Sequence, residues 1–171
     1  FARRRLAQLV DSNSLASAGS SMTRVQGIDI RMVTLHSLAH ALLDELSLTA
    51  GYPAASLRER VYADDGQAGI LIYTATADSA GSLGGLASLS EPDRLSAILA
   101  SAIRRARWCT TDPVCIETTS SGVDGMNLAA CHACLLLPET SCEHFNLLLD
   151  RALLVGELTD PTIGLFGASI D

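Results

Sequence analysis

The chain has 171 residues, of which 48% are hydrophobic and 18% are charged, so it can bury one sizeable core. No apolar run reaches the roughly 18–20 residues that a bilayer span requires, and we predict no contact with a membrane. Its 12 basic residues, all arginine, face 19 acidic ones, for a net charge of −7. This acidic excess disfavours autonomous nucleic-acid binding, because neutralising phosphates supplies most of that affinity.

The N-terminal residues 1–24 are predicted to be a linker or mobile segment. Positions 11–22 are rich in Ser, Ala and Gly, which is typical of loops and linkers. The first residue is not Met, so we expect a fragment of a larger protein. Residues 25–171 are then expected to form one domain.

The next elements are predicted from hydrophobic spacing. "RVQGIDIRMV" (24–33) alternates imperfectly and suggests a strand, while "TLHSLAHALLDELSL" (34–48) has leucines at helical spacing. Thr34 is a plausible N-cap of that helix, and Gly51 is a stop signal. A second short helix is predicted over "SLRERVY" (56–62), and a buried strand over "AGILIYTAT" (68–76).

Two further helices are predicted from capping-box spacings. Ser90 and Asp93 precede a helix with an apolar stripe that extends to Trp108. Thr140 and Glu143 open a last helix through "HFNLLLDRALL" (144–154). The predicted fold class is α/β, or mixed α+β: a small sheet packed with helices, plus a four-cysteine zinc subdomain over about 109–155.

All five cysteines lie between positions 109 and 142. Five is an odd number for disulfides, and a Cys-x-x-Cys beside other thiols is more typical of metal binding. Zinc binding explains this crowding best, since pairs of nearby thiols are easily gathered around one ion. Inert buried thiols, a redox pair and a disulfide stay open as weaker alternatives.

The preferred ligands are Cys109, Cys115, Cys131 and Cys134, which form two pairs. Cys142 is a substitute ligand, because the first turn of the predicted last helix would favour a thiolate there. Four thiolates leave no coordination position for water, so we expect one structural zinc ion and no catalytic residues.

His36 and His40 place two imidazoles on one face of a predicted helix. The Glu of the H-E-x-x-H zinc hydrolase motif is missing, since position 37 is Ser. The favoured interpretation is that both histidines hydrogen-bond within a packed helix seam. The alternative is a metal-dependent phosphoesterase or nuclease that uses His36, His40 and acidic neighbours.

The stretches "HSLAHALLDEL", "ILIYTAT", "CTTDPVC" and "ACHACLLLPETSCEHFNLLLDRALL" together resemble a zinc-binding C-terminal domain of unknown function. This domain is shared by DrmB proteins, which are subunits of the DISARM phage-defence system, and by repair helicases of the MrfA and Hrq type. The DrmB branch looks closer. The helicase branch packs its zinc cysteines into a shorter run, so the loop 116–130 departs from that pattern.

The resemblance implies a noncatalytic, cytoplasmic, helicase-associated module. It would scaffold a helicase subunit or domain, and help that complex engage DNA in anti-phage defence. The alternative within the family is a domain of a DNA-repair helicase that contacts DNA directly. The chain itself carries no G-x-x-x-x-G-K-[ST] nucleotide-binding motif.

Overall fold

A computed structural model describes residues 1–19, 28–64, 66–75 and 85–168. Its helices are α1 (Ala2–Gly19), α2 (Ile30–Ala50), α3 (Gly85–Ser88), α4 (Pro92–Ala106), α5 (Val114–Glu117) and α6 (Ala152–Val155), and its strands are β1 (Leu57–Tyr62) and β2 (Gly69–Thr74). The predicted combination of helices with a small sheet is confirmed. Within the described ranges, no helix is both long and apolar enough to cross a membrane.

Helix α2 lies at the centre of the fold and packs against α4, β1 and β2. It starts at Ile30, where the Asp29 side chain accepts a hydrogen bond from the backbone N–H of Arg31 (3.1 Å). The predicted strand is therefore wrong from residue 30 onwards, and its residues 24–27 lie outside the described ranges. Thr34 is not the N-cap. Gly51 does end the helix, with φ at 71°, as glycine readily permits.

Helix α4 confirms the predicted apolar stripe in part, since it is buried at Ile98, Ala102, Ile103 and Ala106. The stripe does not extend to Trp108, which lies beyond the end of the helix and is 69% exposed. The predicted capping box of α4 is wrong. The N-cap is Glu91, with no side-chain capping bond, and the hydroxyl of Ser90 donates instead to the carbonyl of Ala87.

The predicted helix over residues 56–62 is wrong, because this segment is strand β1. It pairs antiparallel with β2, from Leu57 opposite Thr74 to Tyr62 opposite Gly69. The side chains of Leu57 and Glu59 are buried, on the face of the hairpin that α2 covers. The predicted strand over 68–76 is confirmed over Gly69–Thr74, and residue 76 lies outside the described ranges. Its predicted burial is wrong, because Leu71 is 46% exposed and only one face of β2 is covered.

The N-terminal segment is a helix rather than a linker over residues 2–19. Leu9 is fully buried in a core cluster with Val33 and Leu128. The guanidinium of Arg5 donates two hydrogen bonds to the buried carboxylate of Asp150, at 2.7 and 2.5 Å. These contacts fix α1 on the domain. Residues 20–24 of the predicted linker lie outside the described ranges.

The predicted last helix from Thr140 is also wrong, apart from the short α6. Phe145, Asn146 and Leu148 have positive φ values of 52°, 59° and 62°, which a right-handed helix excludes. The backbone instead pairs with the preceding loop, as the Leu148 N–H donates to the carbonyl of Met126 (2.9 Å). Similarly, the Leu128 N–H donates to Leu149 (3.0 Å).

Candidate metal centres

The structure brings the four preferred cysteines together. The Sγ atoms of Cys109 and Cys131 lie 3.5 Å apart, and Cys134 Sγ lies 3.7 Å from those of both Cys115 and Cys131. All four sulfurs are within 4.8 Å of one another. With Zn–S bonds of about 2.3 Å, a tetrahedral shell separates its sulfurs by about 3.8 Å. The cluster therefore has the size that a closed zinc shell requires.

Hydrogen bonds to Asp112 shape the turn that carries Cys109 and Cys115. Its carboxylate accepts from the backbone N–H of Cys109 (3.0 Å) and of Ile116 (3.1 Å). The buried guanidinium of Arg151 donates to the same carboxylate at 2.5 Å and to the carbonyl of Ala106 at 2.8 Å. Asp112 and Arg151 thus support the first cysteine pair with groups that do not ligate.

The second pair lies in a tight turn of its own. The backbone N–H groups of Cys134 and Leu135 both point to the carbonyl of Cys131 at 3.1 Å. The Cys131 N–H in turn points to the sulfur of Cys134 at 3.3 Å. Such N–H···S contacts stabilise a thiolate by placing a positive dipole against it. His132, inside this turn, is exposed and is not part of the cluster.

Crowding shifts the pKa values of three of these thiols in different directions. The hydrogen bond from Cys134, helped by the positive charge of Arg151, lowers the pKa of Cys115 to about 5. The same hydrogen bond, together with burial, raises the pKa of the Cys134 thiol. Burial also raises the pKa of Cys109. A divalent cation would allow all four to ionise together, because its charge offsets their mutual repulsion.

Cys142 lies elsewhere, in a second cluster with His36, His40 and Glu59, whose donor atoms are also within 4.8 Å of one another. Cys142 has extended backbone angles (φ −119°, ψ 125°), so its predicted place in the first turn of a helix is wrong. Its sulfur lies 3.1 Å from His36 Nε2. Burial raises the pKa of this thiol to about 12.

The histidines do lie in a packed seam, as predicted. His40 Nδ1 is 2.8 Å from the carbonyl of Leu135, and burial lowers the pKa of His40 to about 3, so this imidazole is neutral. For Glu59, burial has the opposite effect and raises the pKa of the carboxyl group. The nearby imidazoles of His36 and His40 lower this pKa by more, and it lies below its usual range.

The second cluster has no open face for a substrate. His36, His40 and Glu59 are 0% exposed and Cys142 is 5% exposed. The predicted acidic neighbours of the histidines point elsewhere: Asp44 and Glu45 lie 2.7 and 3.6 Å from the Arg105 guanidinium. A phosphodiester has no access to this site, so its geometry does not favour a phosphoesterase.

Glu59 is the member of this cluster that sequence reasoning missed. The predicted helix over 56–62 contains it, whereas in β1 it occupies an inward position between Leu57 and Val61. The signal in the sequence is a carboxylate at a position where the alternation of Leu57 and Val61 predicts an inward side chain. A buried carboxylate needs a charged, polar or metal partner, so such a position indicates a site.

The fold and the sulfur cluster define a class, that of small zinc-binding domains. Residues 38–135, more than half of the chain, match the family model of the MrfA Zn-binding domain, and the chain belongs to that family. The DISARM protein DrmB of Bacillus paralicheniformis is 43% identical over 127 residues, which cover 74% of this chain and 23% of that protein. The chain thus spans about a quarter of that relative's length. The predicted resemblance to DrmB proteins and the prediction of zinc are both confirmed.

Proposed function

We propose that this chain is a noncatalytic zinc-stabilised module of a DrmB-like protein. Its role would be to scaffold a helicase partner and help that complex engage DNA in anti-phage defence. The observation that carries the proposal is the closed cluster of Cys109, Cys115, Cys131 and Cys134, which we assign as the ligands of one zinc ion. An ion held by four thiolates has no site for water or substrate, so it acts by fixing the chain around it.

The segments next to these ligands support a docking role. Trp108 precedes Cys109 and is 69% exposed, and Val114 precedes Cys115 and is 76% exposed. Large apolar side chains on rigid supports are the usual anchors of protein interfaces. A zinc ion would pre-organise both, which lowers the entropic cost of binding a partner.

Direct contact with DNA is the second candidate, favoured by one observation. A groove of about 420 Å³ is lined by Arg104, Arg105 and Trp108, together with Cys134 of the sulfur cluster. Cations beside an aromatic ring suit a nucleic-acid strand. Arg105 is already paired with Asp44, which also lines the groove, and the net charge is −7. We therefore place DNA engagement mainly with the partner.

The docking role is tested by measuring the affinity of the purified protein for the helicase subunit of its own defence system. Trp108→Ser should weaken this binding at least tenfold while leaving the zinc content unchanged. The matched control is Leu48→Ser, which removes an apolar side chain that is 59% exposed on α2. Equal affinities for both variants would contradict the proposal.

The DNA alternative is tested by fluorescence anisotropy with single-stranded DNA at low salt. If the domain alone binds, and Arg104→Ala weakens that binding, the domain contacts DNA directly. Because phosphate contacts release counterions, such binding should also weaken steeply as salt is added. No binding by the isolated domain would favour engagement through the partner.

A further inference from the structure

We propose that His36, His40, Glu59 and Cys142 form a second zinc site, buried and structural, between α2, β1 and the segment that follows Leu137. Imidazole, carboxylate and thiolate are all accepted zinc ligands, and four of them close a tetrahedral shell. Their donor atoms lie within 4.8 Å of one another, and all four residues are buried.

The distances around His36 fit one shared ion. Its Nε2 atom lies 3.1 Å from the sulfur of Cys142 and 3.5 Å from Oε1 of Glu59. Zinc bonds of about 2.0–2.3 Å in tetrahedral geometry separate such donors by about 3.3–3.6 Å. A shift of a few tenths of an ångström would bring all three atoms onto one ion.

Two further hydrogen bonds orient the ligands. The carbonyl of Leu135 can only accept a hydrogen bond, so its 2.8 Å contact with His40 Nδ1 calls for a proton on Nδ1, which leaves the lone pair of Nε2 for a metal. This is the usual arrangement of a metal-binding histidine. The backbone N–H of Asn146 points to the sulfur of Cys142 at 3.3 Å, as in the sulfur cluster.

Several polar atoms of this site lack hydrogen bonds that their burial would require. His40 Nε2 and both carboxylate oxygens of Glu59 are buried without a hydrogen-bond partner among the described residues. Leaving such groups unsatisfied is costly, and a buried carboxylate is the costliest. A Zn²⁺ ion in a tetrahedral shell would satisfy His40 Nε2 and one oxygen of Glu59. Its two positive charges would also balance one thiolate and one carboxylate.

A catalytic Cys-His-Glu triad fits the geometry less well. In a triad the nucleophile and the carboxylate contact opposite nitrogens of the imidazole. Here Cys142 and Glu59 both approach Nε2 of His36, as ligands converging on one point do. A buried ion pair of His36 with Glu59 alone would leave His40 Nε2 without a partner.

The first experiment counts zinc and identifies its donors in the purified protein after dialysis against a mild chelator. We expect two zinc ions per chain. X-ray absorption should then report an average of 2.5 sulfur and 1.5 nitrogen or oxygen donors per ion, since the two clusters share five sulfurs and three lighter donors. One zinc ion per chain with sulfur donors only would overturn the proposal.

Variants assign the second ion to its site. Glu59→Gln and Cys142→Ser should each reduce the count from two to one, with the remaining ion bound by sulfur only. The control Glu143→Gln removes the same charge at a side chain that is 41% exposed, and should keep both ions. Two ions in folded Glu59→Gln protein would contradict the assignment. If a variant does not fold, the donor count of the unaltered protein still decides.

The two sites fail independently. Cys131→Ser would remove the sulfur-bound ion assigned above, whereas the second proposal concerns only the ion with mixed donors. If the zinc in the protein is bound only by sulfur, the second site is contradicted, whereas the proposed function is not.

Discussion

The four-cysteine cluster and the cluster of His36, His40, Glu59 and Cys142 differ in how far apart their members lie along the chain. The contact between Cys109 and Cys131 spans 22 positions, whereas that between His36 and Cys142 spans 106. Closing the longer loop costs only about 1.4 kcal/mol more, because loop entropy grows with the logarithm of length. The comparison teaches that a large separation between ligands makes a site hard to recognise in the sequence, although it lowers the stability of the site only slightly.

The largest expected effect comes from Cys131→Ser. It should remove the sulfur-bound zinc and lower the free energy of unfolding by more than about 5 kcal/mol. A structural zinc contributes on the order of 10–16 kcal/mol of apparent binding energy, against a net stability of roughly 5–15 kcal/mol. Thermal unfolding followed by circular dichroism, with zinc analysis, measures this. His132→Asn, at the exposed position next to it, is the control, and a native melting curve for Cys131→Ser would contradict the prediction.

Arg151→Met tests how much of the stability around the sulfur cluster comes from side-chain contacts and not from a metal ion. Arg151 is 0% exposed and is paired with Asp112, and breaking a buried pair from one side costs about 3–5 kcal/mol. We expect the free energy of unfolding, measured with urea, to fall by about 3 kcal/mol. The loss is at the low end of that range because Asp112 still accepts hydrogen bonds from two backbone N–H groups. Arg60→Met, which breaks an exposed contact with Glu143, should cost under about 1 kcal/mol. Equal losses from the two variants would show that burial is not the cause.

Asn146→Ala tests the scaffold of the second cluster. The Asn146 side chain exchanges two hydrogen bonds with the backbone of Leu137, at 2.9 and 2.8 Å, and its own φ is 59°. Alanine loses both bonds and disfavours this φ, so we expect a loss of about 2–3 kcal/mol in urea unfolding. Asn146→Gly loses the bonds but accepts the backbone angle, and should therefore cost less than alanine. The reverse order would show that the backbone angle is not important.

The smallest effect is expected at the start of α2, which carries both histidines of the second cluster. Asp29→Ala should cost about 1 kcal/mol at neutral pH, as N-cap losses typically do. The backbone hydrogen bond from Arg31, and then the Arg31 side chain, lower the pKa of Asp29. Its contribution is therefore full above the ordinary pKa of Asp, near about 4, and is lost as the pH falls through the lowered value.

Urea unfolding at several pH values measures this contribution. The difference between the unaltered protein and Asp29→Ala should shrink on acidification. Asp29→Asn keeps an N-cap but has no carboxyl to titrate, so it should show a pH-independent difference from alanine. A constant gap between Asp29 and Ala across this range would show that the charge of Asp29 contributes nothing, and the absence of any gap at neutral pH would refute the capping role.

The sequence predicted the elements in which local pattern and tertiary packing agree. The spacing of Ile98, Ala102 and Ala106 is helical and their face is buried in α4. The cysteine pairs were recognisable because their short spacings already bring sulfurs together. These features need no knowledge of distant residues.

The errors in prediction have a common physical cause, which is that tertiary contacts override local pattern. Residues 143–150 are rich in leucine, yet the Asn127 side chain bonds the backbone of Asn146 and Leu149 and holds the segment out of a helix. Strand β1 contradicts the predicted helix over 56–62, and at its inward position between Leu57 and Val61 it carries the charged side chain of Glu59 instead of an apolar one. That carboxylate faces inward to meet two histidines on α2, and this partnership cannot be read from residues 56–62 alone.

Trp108 gives the domain a built-in optical probe. It is the chain's single tryptophan, and it is bonded directly to Cys109. Its emission therefore comes from one place only, at the edge of the sulfur cluster. Quenching by a bound partner, or a change in anisotropy when thiols are oxidised, can be assigned to that edge without attaching any dye.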